Sequence, residues 1–102
     1  MGLVVSLEEQ QHLVRQIEEK YNCNVQYRVE EDQITEVDLS SQNLTDFPIE
    51  LTQIRSLKIL VMQENDIRTL PAEITNLDDL EILALSYNQL EDQLSLSRNQ
   101  PF

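Results

Sequence analysis

Apolar residues recur in one fixed order in three consecutive segments, residues 34–56, 57–79 and 80–102, each 23 residues long. Positions 1, 4, 6 and 11 hold Ile34, Val37, Leu39 and Leu44; Leu57, Leu60, Met62 and Ile67; and Leu80, Leu83, Leu85 and Leu90. Because side chains alternate between the two faces of a strand, positions 4 and 6 point the same way and predict a short strand. No repeat buries its own apolar face, so we expect the repeats to stack with their strands parallel.

The second half of the repeat predicts a turn or a short helix on the other side of the stack. In the first two repeats, Phe47-Pro48 and Leu70-Pro71 occupy the same positions, and the fixed φ of proline suits the start of a helix. The apolar residues that follow are Leu51 and Ile54, then Ile74 and Leu77. The third repeat departs after Leu90, where the corresponding residues are Gln93, Leu94, Ser97 and Gln100. We therefore expect an irregular end to the stack.

An amide side chain occupies position 9, just after each predicted strand. Asn65 and Asn88 hold this position in the second and third repeats, and Gln42 replaces asparagine in the first. An amide both donates to and accepts from backbone groups in loops that have no sheet partner. We expect a ladder of asparagine side chains, weakened at its start by Gln42, with Asn43 one residue out of register.

Together these positions resemble the leucine-rich repeat, L-x-x-L-x-L-x-x-N-x-L, of the 23-residue kind that continues L-P-x-x-I-x-x-L. The resemblance covers residues 34–102, about two-thirds of the chain, and nearly all of its positions are filled in the first two copies. It implies an α/β solenoid with parallel strands on a concave face and irregular or short helical convex turns. It also implies a non-catalytic protein–protein interaction module that uses the concave strand face.

Residues 1–33 carry two other patterns, which predict an N-terminal cap within one domain of residues 1–102. Ser6 and Glu9 form a capping-box pattern. The helical stripe that follows contains Leu7, Leu13, Val14, Ile17 and Tyr21. Val25, Tyr27 and Val29 then alternate with polar residues, as in a half-buried strand. We predict a helix and then a β-hairpin whose second strand begins the first repeat.

The charge of the chain narrows the class of partner. Seven basic and 19 acidic residues give a formal net charge of −12, which disfavours nucleic-acid phosphates and anionic membranes. No apolar run approaches the ~18 residues of a membrane span, and the N-terminus lacks the basic region of a secretory signal. We expect a cytoplasmic chain with a protein partner, without nucleic acid, membrane or a small-molecule substrate.

No set of residues predicts catalysis, a metal or a cofactor. His12 is the only histidine, and nothing near it in the sequence completes a ligand set or a nucleophile–base pair. Cys23 lies in a predicted turn without basic neighbours, which favours a structural thiol. The only glycine is Gly2, so no glycine-rich phosphate loop or calcium loop is present. We therefore expect a protein that is not an enzyme.

The strand positions that face away from the leucines form the candidate protein-binding surface, and the resemblance places them on the concave face. They are Glu36, Asp38, Ile59, Val61, Gln63, Glu64, Ile82, Ala84, Ser86 and Tyr87. Ile59, Val61, Ile82 and Ala84 form a two-by-two group, which we call the apolar block. Apolar residues on a surface that should be solvated indicate a contact, although parallel strands also favour valine and isoleucine on both faces.

Two alternatives stay open beside a foreign partner on the concave face. The net charge of −12 favours an acidic inhibitor or antidote of a basic enzyme. The predicted sheet edge at Ile82–Leu85, next to the apolar block, favours a self-associating scaffold in which two copies pair across a two-fold axis. We predict self-association on this ground, with Leu94–Leu96 as the other segment that would cover the edge.

Overall fold

A helix, a β-hairpin and two further strands follow one another in the computed structural model, which describes residues 5–90 of the chain. The helix α1 is Leu7–Tyr21, and the strands are β1 (Gln26–Glu30), β2 (Gln33–Asp38), β3 (Ile59–Val61) and β4 (Ile82–Ala84). Two 3₁₀ helices connect the last three strands, the first at Ile49–Gln53 and the second at Ala72–Asn76. Pro48 and Pro71 directly precede them, as the repeat pattern predicts.

The four strands form one sheet in the order β1-β2-β3-β4. β1 is antiparallel to β2, whereas β2, β3 and β4 are parallel. The 23-residue period sets the register, so that Glu36 pairs with Ile59 and Ile59 pairs with Ile82. The predicted α/β solenoid with one strand per repeat is therefore confirmed, and the hairpin supplies the first of those strands.

The core lies between the sheet and the 3₁₀ helices. Val37, Leu39, Leu60 and Met62, at positions 4 and 6 of the first two repeats, are completely buried. The convex side contributes the buried residues Phe47, Leu51, Ile54, Ile74 and Leu77. Burial declines along the stack, because within residues 5–90 nothing beyond β4 covers Leu80, Leu83 and Leu90, which are only partly buried. The irregularity predicted after Leu90 lies outside the described residues.

The helix α1 begins at the predicted capping box and packs on the first repeat. The Ser6 hydroxyl accepts from the Glu9 backbone N–H at 3.2 Å, and the Glu9 carboxylate accepts from the Ser6 N–H at 3.2 Å. Val14 and Ile17 are buried in the same core as the repeats. Asn22 ends the helix in the left-handed conformation, with φ of 54°.

Gln10 joins the helix, the hairpin and the first repeat through its buried side chain, which is 1% exposed. Its carbonyl oxygen accepts from the Ile34 N–H at 2.8 Å, and its amide donates to Gln33 Oε1 at 3.1 Å and Ser56 Oγ at 3.0 Å. Ser56 Oγ donates in turn to the Ile34 carbonyl at 2.6 Å. The helix and the first repeat share this network. We therefore propose that residues 1–33 form a cap within a single domain.

The hairpin differs from its sequence prediction in burial. Glu31 and Asp32 have φ of 52° and 62°, the two left-handed residues of a tight two-residue turn. The strands exist as predicted, but all five residues of β1 are exposed, with Tyr27 at 39%. The prediction of a half-buried strand is therefore wrong for β1. β1 is the outer strand of the sheet, and only Val25, which precedes it, reaches the core.

Candidate protein-binding surface

The face of the sheet that points away from the core carries two rows of side chains, which we call the strand face. One row contains Arg28, Glu36, Ile59 and Ile82, and the other contains Gln26, Asp38, Val61 and Ala84. Residues that pair across neighbouring strands place their side chains on the same face, about 5 Å apart. The structure thus brings together the four residues of the apolar block, as the repeat spacing predicts.

The apolar block is accessible on the strand face. Ile82 is 50% exposed, and Ile59, Val61 and Ala84 are each partly exposed. Their neighbours Leu60 and Met62, which alternate with them along β3, are fully buried. The alternation separates the two faces of the sheet, so the block is a surface feature and does not belong to the core.

Gln26 and Arg28 extend the strand face, although the sequence did not indicate them. The pairing of β1 with β2 shifts between Arg28 and Val29, so that Arg28 lies opposite Glu36 and Thr35 is the extra residue of a β-bulge. Without the bulge, the tight turn would set Arg28 opposite Thr35. Arg28 Nε lies 3.8 Å from Glu36 Oε1, and this charge complementarity is the one sequence signal for the shifted register.

The strand face is acidic beside the apolar block. Asp38 Oδ1 accepts from the Ser40 N–H at 2.9 Å, and Glu64 Oε1 accepts from the Ser41 hydroxyl at 2.6 Å. Within residues 5–90, neither carboxylate is in a salt bridge with a lysine or arginine. Asp38 and Glu64 are therefore held in place by neutral donors, and no cation of the described part of the chain neutralises their negative charges.

The residues after the strands adopt a repeated left-handed conformation. Ser41, Glu64 and Tyr87, at position 8 of the three repeats, have φ of 57°, 59° and 61°. This region costs a residue other than glycine about 1 kcal/mol or more, and a bulky aromatic residue is rare in it. The conformation directs Tyr87 into solvent at the end of β4, where it is 79% exposed. Gln63 and Ser86 lie beside this rim and are partly buried.

The predicted asparagine ladder holds these loops together. Asn65 Oδ1 accepts from the Gln42 and Leu44 N–H groups at 3.0 Å each, and Nδ2 donates to the Leu39 carbonyl at 2.9 Å. Asn88 repeats the arrangement one coil later, accepting from Ile67 N–H at 3.0 Å and donating to the Met62 carbonyl at 2.8 Å.

The sequence predicts a ladder that is weakened at Gln42, and in the structure the Gln42 side chain still accepts and donates at this position. Gln42 Oε1 accepts from the Asn24 N–H at 2.9 Å, and Nε2 donates to the Ser40 carbonyl at 3.2 Å. Through the Asn24 N–H, the glutamine side chain connects the first repeat to the segment that precedes the hairpin. Asn43, which is out of register, is exposed with φ of 60°.

The remaining reactive side chains lie apart from one another. His12 is exposed on α1, and Cys23 is partly buried with Sγ 3.7 Å from the Ile17 carbonyl oxygen. Burial, together with the nearby Glu18 carboxylate, raises the pKa of the Cys23 thiol, which disfavours the nucleophilic thiolate. Across residues 5–90 no three His, Cys, Asp or Glu side chains cluster as metal ligands would. None of the helices described there is long and apolar enough to cross a bilayer.

Comparisons with known proteins agree with this architecture. The fold is similar to the LRR ectodomain of the receptor kinase SOBIR1 from Arabidopsis thaliana, with a TM-score of 0.51 and 16% sequence identity, covering 78% of this chain and 67% of that chain. At this identity the similarity supports the fold alone. No curated protein sequence gives a significant match. The family model for the leucine rich repeat matches residues 32–90, more than half of the chain, and the protein therefore belongs to the leucine-rich repeat family.

Proposed function

We propose that this chain is a non-catalytic module that docks a partner protein on its strand face, the concave face of the repeat class. Leucine-rich repeat proteins are in general protein-interaction modules, and their fold is typically non-catalytic. The observation that carries the proposal is the apolar block, which is solvent-accessible and lies directly beside Asp38, with Glu64 three residues after Val61 in the loop that follows β3. An apolar centre with a polar rim is the usual arrangement of a protein interface.

The strand face suits docking because its backbone is already fixed. The strands that carry it are hydrogen-bonded to one another, and the core packs against their other side. The loops at its rim are held by Asn65 and Asn88. A surface that is ordered before binding loses little conformational entropy when the partner arrives.

Three further predictions accompany the docking proposal. The net charge of −12 supports the second candidate function, an acidic inhibitor of a basic enzyme, which would use the same face. Self-association of two copies through the apolar block is the competing use of this surface. The cytoplasmic location stays a prediction.

The proposed function is tested with random peptides displayed on phage and selected on the immobilised full chain. Selected peptides are synthesised, and their affinities are measured for the wild type and for Ala84→Arg, which places a large cation in the apolar block. Ile82→Arg is a second block variant, at a more exposed position. Asn76→Arg, exposed on the convex side, is the matched control. We expect the block variants to lose the peptides and the control to keep them, with unchanged thermal unfolding in all four proteins.

A further inference from the structure

We infer that the partner presents a lysine or arginine to Asp38 and Glu64 and one apolar side chain to the apolar block at Ala84, which lies two strands, about 10 Å, from Asp38. This inference rests on the proposed function and specifies the chemistry of the partner. It identifies a basic protein segment with a single apolar anchor as the ligand of the strand face.

The apolar part of the inference follows from the sizes of the side chains around Ala84. Ala84 is the smallest member of the block, with Val61 beside it on β3 and Ile82 two residues earlier on β4. Tyr87, which is 79% exposed, stands at the rim three residues further on. The block is only two strands wide, about 5 Å from one strand to the next, which suits one side chain better than a whole helix face. Tyrosine at such a rim is a frequent contributor to binding energy.

The charged part of the inference follows from how Asp38 and Glu64 are held. Each uses one carboxylate oxygen in a hydrogen bond of the fold, to Ser40 N–H and to Ser41 Oγ respectively. The second oxygen of each carboxylate has no protein partner among residues 5–90. On the same face, Glu36 is already close to Arg28, at 3.8 Å. The unneutralised charge of the face is therefore concentrated at Asp38 and Glu64, where a cation gains most.

Charge complementarity also selects among occupants of the block. A second copy of the chain carries the same net charge of −12 and would bring its own carboxylates towards Asp38 and Glu64. Like charges across an interface oppose association, whereas a basic segment is attracted at long range and held at short range. A basic partner with an apolar side chain is thus the occupant that suits both the carboxylates of Asp38 and Glu64 and the apolar block.

The experiment uses the phage-selected peptides with a second set of variants. Asp38→Asn and Glu64→Gln together remove two charges but keep the oxygen atoms that accept from Ser40 and Ser41. Glu73→Gln with Asp78→Asn removes two exposed charges on the convex side and is the control. We expect the selected peptides to share a lysine or arginine and an apolar residue. At about 0.05 M NaCl the strand-face pair should bind them roughly tenfold more weakly than the wild type, and at about 0.5 M NaCl this difference should disappear.

The outcomes separate this inference from the proposed function. In one outcome, the selected peptides lose affinity for Ala84→Arg and Ile82→Arg but bind the double variant Asp38→Asn with Glu64→Gln as tightly as the wild type. This result overturns the basic partner and leaves the docking face intact. Peptides without a basic residue, or peptides that match a segment of this chain, have the same effect. Peptides that still bind both block variants, or a selection that yields no binder, overturn the docking face and the basic partner together.

Discussion

Asn65 is the residue on which two consecutive repeats depend. Its carbonyl oxygen accepts from two N–H groups of the first repeat, and its amide donates to the carbonyl of Leu39. These loop groups leave the sheet at the end of β2 and have no strand to pair with. Asn65 is only 4% exposed, so the backbone groups that it pairs are shielded from bulk water and depend on its side chain.

We therefore expect Asn65→Ala to lower the free energy of unfolding by roughly 1–3 kcal/mol, because the buried N–H of Leu44 loses its acceptor. Urea unfolding measures the change. Asn43→Gly is the control, since glycine keeps the left-handed conformation of this exposed neighbour without its side chain. An equal loss in both variants would mean that the ladder register is wrong.

The sequence predicts some of these buried polar residues and not others. Asn65 and Asn88 stand at a fixed repeat position, so spacing alone identifies them. Gln10 lies in the middle of a helical stripe, where a glutamine interrupts the pattern, and its role depends on an N–H that is 24 residues away in the chain. Gln42 departs from the repeat pattern, and its hydrogen bond from the Asn24 N–H, 18 residues away in the chain, depends on the folded structure.

At the scale of elements, α1 is attached to the repeats by the Gln10 network. We expect Gln10→Leu to lower the free energy of unfolding by roughly 1–3 kcal/mol, because leucine fills the space but leaves the buried N–H of Ile34 without an acceptor. Gln11→Leu is the neighbouring control, since Gln11 makes only an exposed contact of 3.3 Å with the Tyr27 hydroxyl. Comparable urea midpoints for the two variants would argue against a structural role for Gln10.

A second attachment of α1 is formed at Glu50, in the first 3₁₀ helix. Its carboxylate accepts from Lys20 Nζ at 3.0 Å and from the Tyr21 hydroxyl at 3.0 Å. Burial by itself raises the pKa of Glu50, but its own backbone N–H and the bonds from Lys20 and Tyr21 lower it by more. The pKa of this carboxyl is therefore below its ordinary value of 4.5.

This attachment makes stability depend on pH. A carboxyl whose pKa is lower in the folded state stabilises the fold above its ordinary pKa, and the contribution is lost as the pH falls through the lowered value. We expect Glu50→Gln to reduce the melting temperature near pH 7 and to match the wild type near pH 3. Glu73→Gln, the exposed equivalent in the second 3₁₀ helix, should show no such dependence. A constant difference between Glu50→Gln and the wild type across this range contradicts the assignment.

The pairing of β2, β3 and β4 could be predicted from the sequence, whereas the exact register of β1 against β2 could not. The 23-residue period fixes β2, β3 and β4 in register, because each strand repeats the same alternation of buried and exposed side chains. The bulge at Thr35 is not encoded in any period, and it decides that Arg28 and Gln26 share the strand face. The apolar block was therefore predictable from sequence, whereas the complete width of the surface was not.

At the scale of the whole molecule, net charge opposes contact between copies and the apolar block favours it. The charge is −12 for 102 residues, and Ile82 remains 50% exposed at the last described strand. The outer edge of β4 has no strand partner among residues 5–90, and Leu94–Leu96, the other predicted cover, lies outside that range. Added salt screens the repulsion between copies, with a Debye length that falls from about 14 Å at 0.05 M to about 4 Å at 0.5 M, but leaves the apolar contact in place.

We therefore predict a monomer at low salt and a reversible dimer at high salt and high protein concentration, with the β4 edges paired. Sedimentation equilibrium at about 0.05 M and about 0.5 M NaCl measures the change in mass. Val61→Glu with Ile82→Glu should remain a folded monomer under both conditions, because it places two charges in the contact. Gln53→Glu with Asn76→Glu adds the same two charges at exposed positions of the 3₁₀ helices and should still dimerise at high salt. The salt dependence is opposite to that expected for a basic partner, whose binding weakens as salt rises. A wild type that stays monomeric at high salt and high concentration rejects self-association and leaves the strand face to a foreign protein.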